Sequence, residues 1–174
     1  MTSQMILGFM LENLLGPLRV ALIYFVSGIG GNLFSALCDP NPLKIAVGAS
    51  TSIFGLISTL LAIVFVNWKA LDRSPEVRCC LIMMVIMVLF FTLIMALSGG
   101  NLATGFAGMD TFGHLGGFIA GFFLASFIMV QFRGAEARHR GSYETKCKYV
   151  GLGGTAFFFI LCFTLFFTVS GLTC

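Results

Sequence analysis

Two residues of this chain have the side chains and the setting to do acyl-transfer chemistry. Ser50 stands in Val47-Gly48-Ala49-Ser50-Thr51-Ser52-Ile53-Phe54-Gly55, at the head of a long apolar run. His114 stands near the head of another, in Phe112-Gly113-His114-Leu115-Gly116-Gly117. A hydroxyl is a weak nucleophile until a neighbouring imidazole takes its proton, and the same imidazole can later return that proton to a leaving amine. His114 is also the one histidine inside an apolar run; the other, His139, lies in a basic connection. Placing an ionisable side chain in a bilayer costs on the order of 2.5 kcal/mol or more if it is charged at the centre. Such a residue is expected to face the protein interior and to have a partner.

Helical spacing says what accompanies each group. Gly117 and Gly121 follow His114 by three and seven residues and share its face. They form a GxxxG pair that lets another backbone come close. Phe54 shares the Ser50 face, with Ile57 and Leu61 continuing the stripe. If the glycine face meets the Ser50 face, the hydroxyl and imidazole become neighbours at one depth. Because Ser50 begins its helix, its N–H and that of Thr51 lack helical acceptors and lie at the positive end of the dipole, half of an oxyanion hole. Ser52 points about 200° around the helix from Ser50, and Thr51 is likewise expected to be turned aside. Asp110 follows a glycine-rich loop and reads as a solvated loop residue. The bland alternative is that the hydroxyls bond to backbone carbonyls and the glycines only pack.

The elements that must position these groups are membrane helices. Hydrophobic residues make up 58% of the chain and charged ones 10%, against about 25% charged in soluble domains. The expected fold is an all-α polytopic transmembrane bundle. Full spans are expected at 18–37, 48–66, 79–98, 112–131 and 149–171, each near the ~20 apolar residues a crossing needs. Residues 1–15 are apolar but short, a partial first helix. Basic residues gather in 67–78 (Lys69, Arg73, Arg78) and 133–148 (Arg133, Arg138, Arg140, Lys146, Lys148), and Arg19 lies in the first turn. These connections are assigned to the cytosol, so Ser50 and His114 both start helices on the exoplasmic side.

Other classes fit poorly. The net charge of +3 is confined to loops, which argues against nucleic acid. The six cysteines (Cys38, Cys79, Cys80, Cys147, Cys162, Cys174) form no CxxC or Cys/His cluster, so neither a metal nor a cofactor is expected. A transporter or channel would want charged or broken helices at mid-membrane.

At these residues the chain resembles the rhomboid family of intramembrane serine proteases. Gly48-Ala49-Ser50, with Phe54 and Gly55 after it, matches the family's nucleophile motif; His114, Gly117 and Gly121 match its histidine motif; Glu12 and Gly16 match the Glu-x-x-x-Gly that closes its second helix. Thr51 stands where the commonest pattern has glycine. The resemblance implies a rhomboid-type bundle and a catalytic Ser50–His114 dyad. Gly48, Ser50, Thr51 and Phe54 would support the oxyanion and the imidazole, with Phe54 packed on the ring in place of a third member. It implies a glycine-rich cap at 98–110, a lateral gate at 79–98, and substrates that are single-span membrane proteins cut near the exoplasmic face within the lipid bilayer. It divides the chain into a core over 1–131, a basic cytosolic loop over 132–148 and an extra helix over 149–174. That extra C-terminal helix favours the plasma membrane or Golgi over mitochondria. The family's first helix, membrane-embedded loop and oxyanion asparagine would precede Met1, so the alternative expectation is a pseudoprotease or truncated product that binds client helices without cutting them.

Overall fold

A computed structural model describes residues 2–38, 49–68, 71–98, 110–129 and 141–170. They fold as α1 (Thr2–Leu15), α2 (Pro17–Cys38), α3 (Ser50–Val66), α4 (Pro75–Ser98), α5 (Thr111–Ile128) and α6 (Gly141–Ser170), with a single 3-10 turn at Leu71–Arg73. No strand occurs among them. In α2, α4, α5 and α6 the apolar stretch is long enough to cross a bilayer. At 17 residues α3 sits at the short limit for a span. The chain is thus a multi-pass, all-α membrane protein.

Punctuation falls where glycine and proline put it. Gly16 closes α1 with a left-handed backbone (φ 89°), and its N–H donates to Glu12 O at 2.9 Å. Pro17 then opens α2, where its missing N–H has no helical acceptor to lose. One boundary differs from expectation. Gly141–Lys148, assigned to the basic cytosolic loop, are the first turns of α6. Cys147 is buried there, and the Tyr143 hydroxyl donates to Phe65 O at 3.0 Å, tying these turns to the end of α3.

The centre is a three-helix contact among α2, α3 and α5, made of small residues. A Cβ at Gly121 would stand 2.5 Å from Gly55 Cα, and one at Gly117 would run into the Thr51 carbonyl oxygen. Numbers rise together along α5 (113, 117, 121) and α3 (51, 55, 58), so these two helices run parallel and start on the same side. Along α2 they fall: Ser35 meets Asp110, Gly31 meets Gly113 and Gly117, and Ser27 meets Gly55. α2 is therefore antiparallel to both. Without small side chains at these crossings the backbones would be held apart, and packing rather than hydrophobic exclusion is what joins helices in lipid.

The other helices dress this centre. α6 lies against α5 and α2: Gly151 abuts the Phe127 backbone, Gly154 the Phe123 ring, and Phe158 stacks on Phe34 with centroids 6.0 Å apart. α4 leans on α3 and leaves most of its surface to lipid. Leu11 of α1 packs with Ile23, Leu56 and Leu60 in the apolar core at the other end. A cavity of about 310 Å³ between α1 and α2 is lined by Met5, Phe9, Glu12, Tyr24, Phe25 and Leu56, and neither Ser50 nor His114 borders it.

Candidate active site at the starts of α3 and α5

Parallel α3 and α5 bring their first turns together. His114, 5% exposed, lies in the first turns of α5. Its imidazole stacks on Phe54 with centroids 4.3 Å apart and planes 9° from parallel. That is the expected place for Phe54. Ser50 is the first residue of α3, exposed, one turn before Phe54 and on the same face. The hydroxyl therefore stands on the His114 side of α3. His114 Nδ1 is buried without a hydrogen-bond partner, so Ser50 does not bond to that nitrogen.

The glycine face meets a different stripe of α3 than the spacing suggested. Gly117 and Gly121 oppose Thr51, Gly55 and Ser58, not Ser50, Ile57 and Leu61. Close approach needs small residues on both helices, and that stripe has them. Thr51 is consequently buried between Gly31 of α2 and Gly113 of α5. Its side chain wedges the two neighbours apart while its N–H remains in the first turn of α3. Ser52 is buried too, its Oγ against Gly28 of α2, away from the imidazole as expected.

Backbone donors are distributed unequally. Ala49 precedes α3 and supplies no side-chain cap, so among the described residues the N–H groups of the first turn are unclaimed. At α5 one of the equivalent groups, Gly113 N, is claimed. Asp110 is the N-cap, with its Oδ1 accepting from Gly113 N at 2.8 Å. A developing oxyanion would find open donors at the start of α3 and a carboxylate at the start of α5. Gly48 lies outside the described residues, as do the proposed cap at 99–109 and the basic residues at 130–140.

Asp110 corrects the sequence reading. It is 6% exposed rather than solvated, and besides capping α5 it accepts a hydrogen bond from Ser35 Oγ of α2 at 2.7 Å. Its electrostatic neighbour is His114. The signal was present, since an aspartate just before an apolar run is a helix-start residue. The bland reading of hydroxyls holds for Ser27, Ser58 and Thr59, which donate to Tyr24 O at 3.2 Å and to Gly55 O at 2.7 and 3.0 Å. Ser50 differs in being the first residue of α3. Among the described residues, no group of three His, Cys, Asp or Glu side chains converges in a way that would hold a metal ion.

Comparisons with known proteins point to one family. A family model described as Rhomboid domain matches residues 1–131. RHOMBOID-like protein 5 of Arabidopsis thaliana is 33% identical over 132 residues, covering 75% of this chain and 38% of that protein. RHOMBOID-like protein 6, mitochondrial, of the same plant is 34% identical over 161 residues, 86% of this chain and 47% of that protein. Inactive rhomboid protein 1 of Danio rerio is 34% identical over 115 residues, 66% of this chain and 12% of that protein. The chain thus spans less than half the length of each of these relatives.

Proposed function

The chain belongs to the rhomboid family, and from that premise we propose that it is an intramembrane serine endopeptidase working through Ser50 and His114. The observation that carries the reading is the Phe54–His114 stack one turn below Ser50, at the uncapped start of α3. Nε2 of His114 takes the Ser50 proton as Oγ attacks a peptide carbonyl. The oxyanion that forms is met by first-turn N–H groups of α3, around Ser50 and Thr51, with Gly48 in support. Nε2 then gives its proton to the leaving amine, and water arriving from the exoplasmic side releases the acyl group. Phe54 holds the ring flat and excludes lipid from its face.

The substrates are single-span membrane proteins, cut near the exoplasmic boundary where Ser50 is exposed. The site lies in the plasma membrane or Golgi; mitochondrial import of a tagged chain would move it to the compartment named for one of its relatives. A second reading has its own support: Inactive rhomboid protein 1 is among the relatives. On that reading the same α2–α3–α5 contact serves to hold client helices.

The test is labelling of the detergent-solubilised chain by a fluorescent serine-hydrolase phosphonate. Labelling that is lost in both Ser50→Ala and His114→Ala supports the endopeptidase. No labelling, either of this chain or of a longer form carrying the upstream gene sequence, favours the client-binding reading.

A further inference from the structure

Two buried polar atoms at the start of α5 have no hydrogen-bond partner: Asp110 Oδ2 and His114 Nδ1. One is an acceptor, and the other becomes a donor whenever it carries the imidazole proton. They belong to residues four apart at a helix start, the N-cap and the residue one turn on. Side chains on a helix tilt toward its N-terminus, which aims the residue one turn into α5 back at the cap. The carboxylate cannot drift from this place. Its Oδ1 is fixed from two directions, by Gly113 N at 2.8 Å and by Ser35 Oγ of α2 at 2.7 Å, while the Asp110 carbonyl accepts from His114 N at 3.0 Å. The ring is fixed on its face by Phe54. Leaving two such groups buried and unpaired costs free energy, whereas pairing one with the other removes both penalties.

We propose that Asp110 is a positioning residue for His114: Oδ2 receives the Nδ1–H, which selects the tautomer with a bare Nε2 facing Ser50. In the structure the two atoms are not bonded; the bond forms when the ring turns in its plane against Phe54 to bring Nδ1 onto Oδ2. When Nε2 takes a proton, the ring becomes an imidazolium whose Nδ1–H already faces a carboxylate. Ser35 then acts at one remove, holding the carboxylate rather than touching the imidazole. The role of Nε2 as base rests on the endopeptidase reading; the tautomer itself does not.

Nitrogen NMR of the full chain labelled with 15N-histidine tests it. The chain has two histidines, and His139→Gln assigns the signals. The expected spectrum shows His114 as the Nδ1–H tautomer, with Asp110→Asn and Asp110→Ala both shifting it toward Nε2–H. Phosphonate labelling of Ser50 is expected to slow by about 10-fold or more in Asp110→Asn, and Asp110→Glu to recover part of the rate. Wild-type His114 found as Nε2–H would overturn the proposal without any variant having to fold. So would a tautomer unchanged in Asp110→Asn. A wild-type chain with the Nδ1–H tautomer that never labels would leave the proposal standing and count against the endopeptidase.

Discussion

Gly121→Ala is the sharpest probe of how α5 is held against α3. The new Cβ would stand 2.5 Å from Gly55 Cα, 2.6 Å from Gly55 O and 2.7 Å from Ser58 Oγ. Carbon atoms rest about 3.5–4.0 Å apart, so the helices must part by roughly 1 Å at this level. The two nearest obstacles are backbone atoms, which no rotamer change moves. Overpacking of this kind costs about 1–3 kcal/mol. The displaced helix also carries His114, whose 4.3 Å stack on Phe54 would open, and a misplacement of about 1 Å can cost ~100-fold in rate. The assay pairs thermal unfolding in detergent with the rate of phosphonate labelling at Ser50. Gly153→Ala is the control, because a Cβ there meets nothing within 4 Å and alanine favours helix by about 1 kcal/mol. A Gly121→Ala protein as stable as Gly153→Ala, labelling at the wild-type rate, would refute backbone contact as the basis of the site.

Three further outcomes are expected. Gly16→Ala should destabilise by about 1–2 kcal/mol through the left-handed backbone alone, since a Cβ there meets no atom within 4 Å; Gly16→Asn should lose less in the same unfolding assay. Phe54→Ala should lose the ring stack, worth about 0.5–1.5 kcal/mol beyond burial, and should slow labelling by more than its loss of stability predicts. Ser35→Ala removes a buried donor to Asp110 and should lower the unfolding midpoint by the equivalent of about 1–3 kcal/mol, while Ser35→Thr, which keeps the hydroxyl, should lose less.

Much of the bundle was legible because its signals are one-dimensional. Apolar run length locates helices. His114 with Gly117 and Gly121 was legible as a polar residue on a small-residue face. What escaped was the identity of the opposing surfaces. The run Ser27, Gly31, Ser35 repeats every four residues in α2 and forms a small-residue stripe, but it sits among Tyr, Phe and Leu that dominate any reading by hydropathy. Asp110 escaped because its glycine-rich surroundings resemble solvent-exposed loop, and its burial depends on Ser35, far away in sequence. The polar start of α6 escaped because a hydropathy window ends where the bilayer does, while hydrogen bonding carries the helix on to Gly141.

The bond from Ser35 to Asp110 bridges 75 residues, with all of α3 and α4 between its partners. Ribosomes add about 5–20 residues per second, so Ser35 is synthesised roughly 4–15 s before Asp110. During that interval Ser27, Gly31 and Ser35 of α2, and Thr51 and Gly55 of α3, form an unfilled small-residue cleft facing lipid or translocation machinery. Only the arrival of α5 fills it. A chain halted before α5 therefore lacks the one element whose glycines match that cleft.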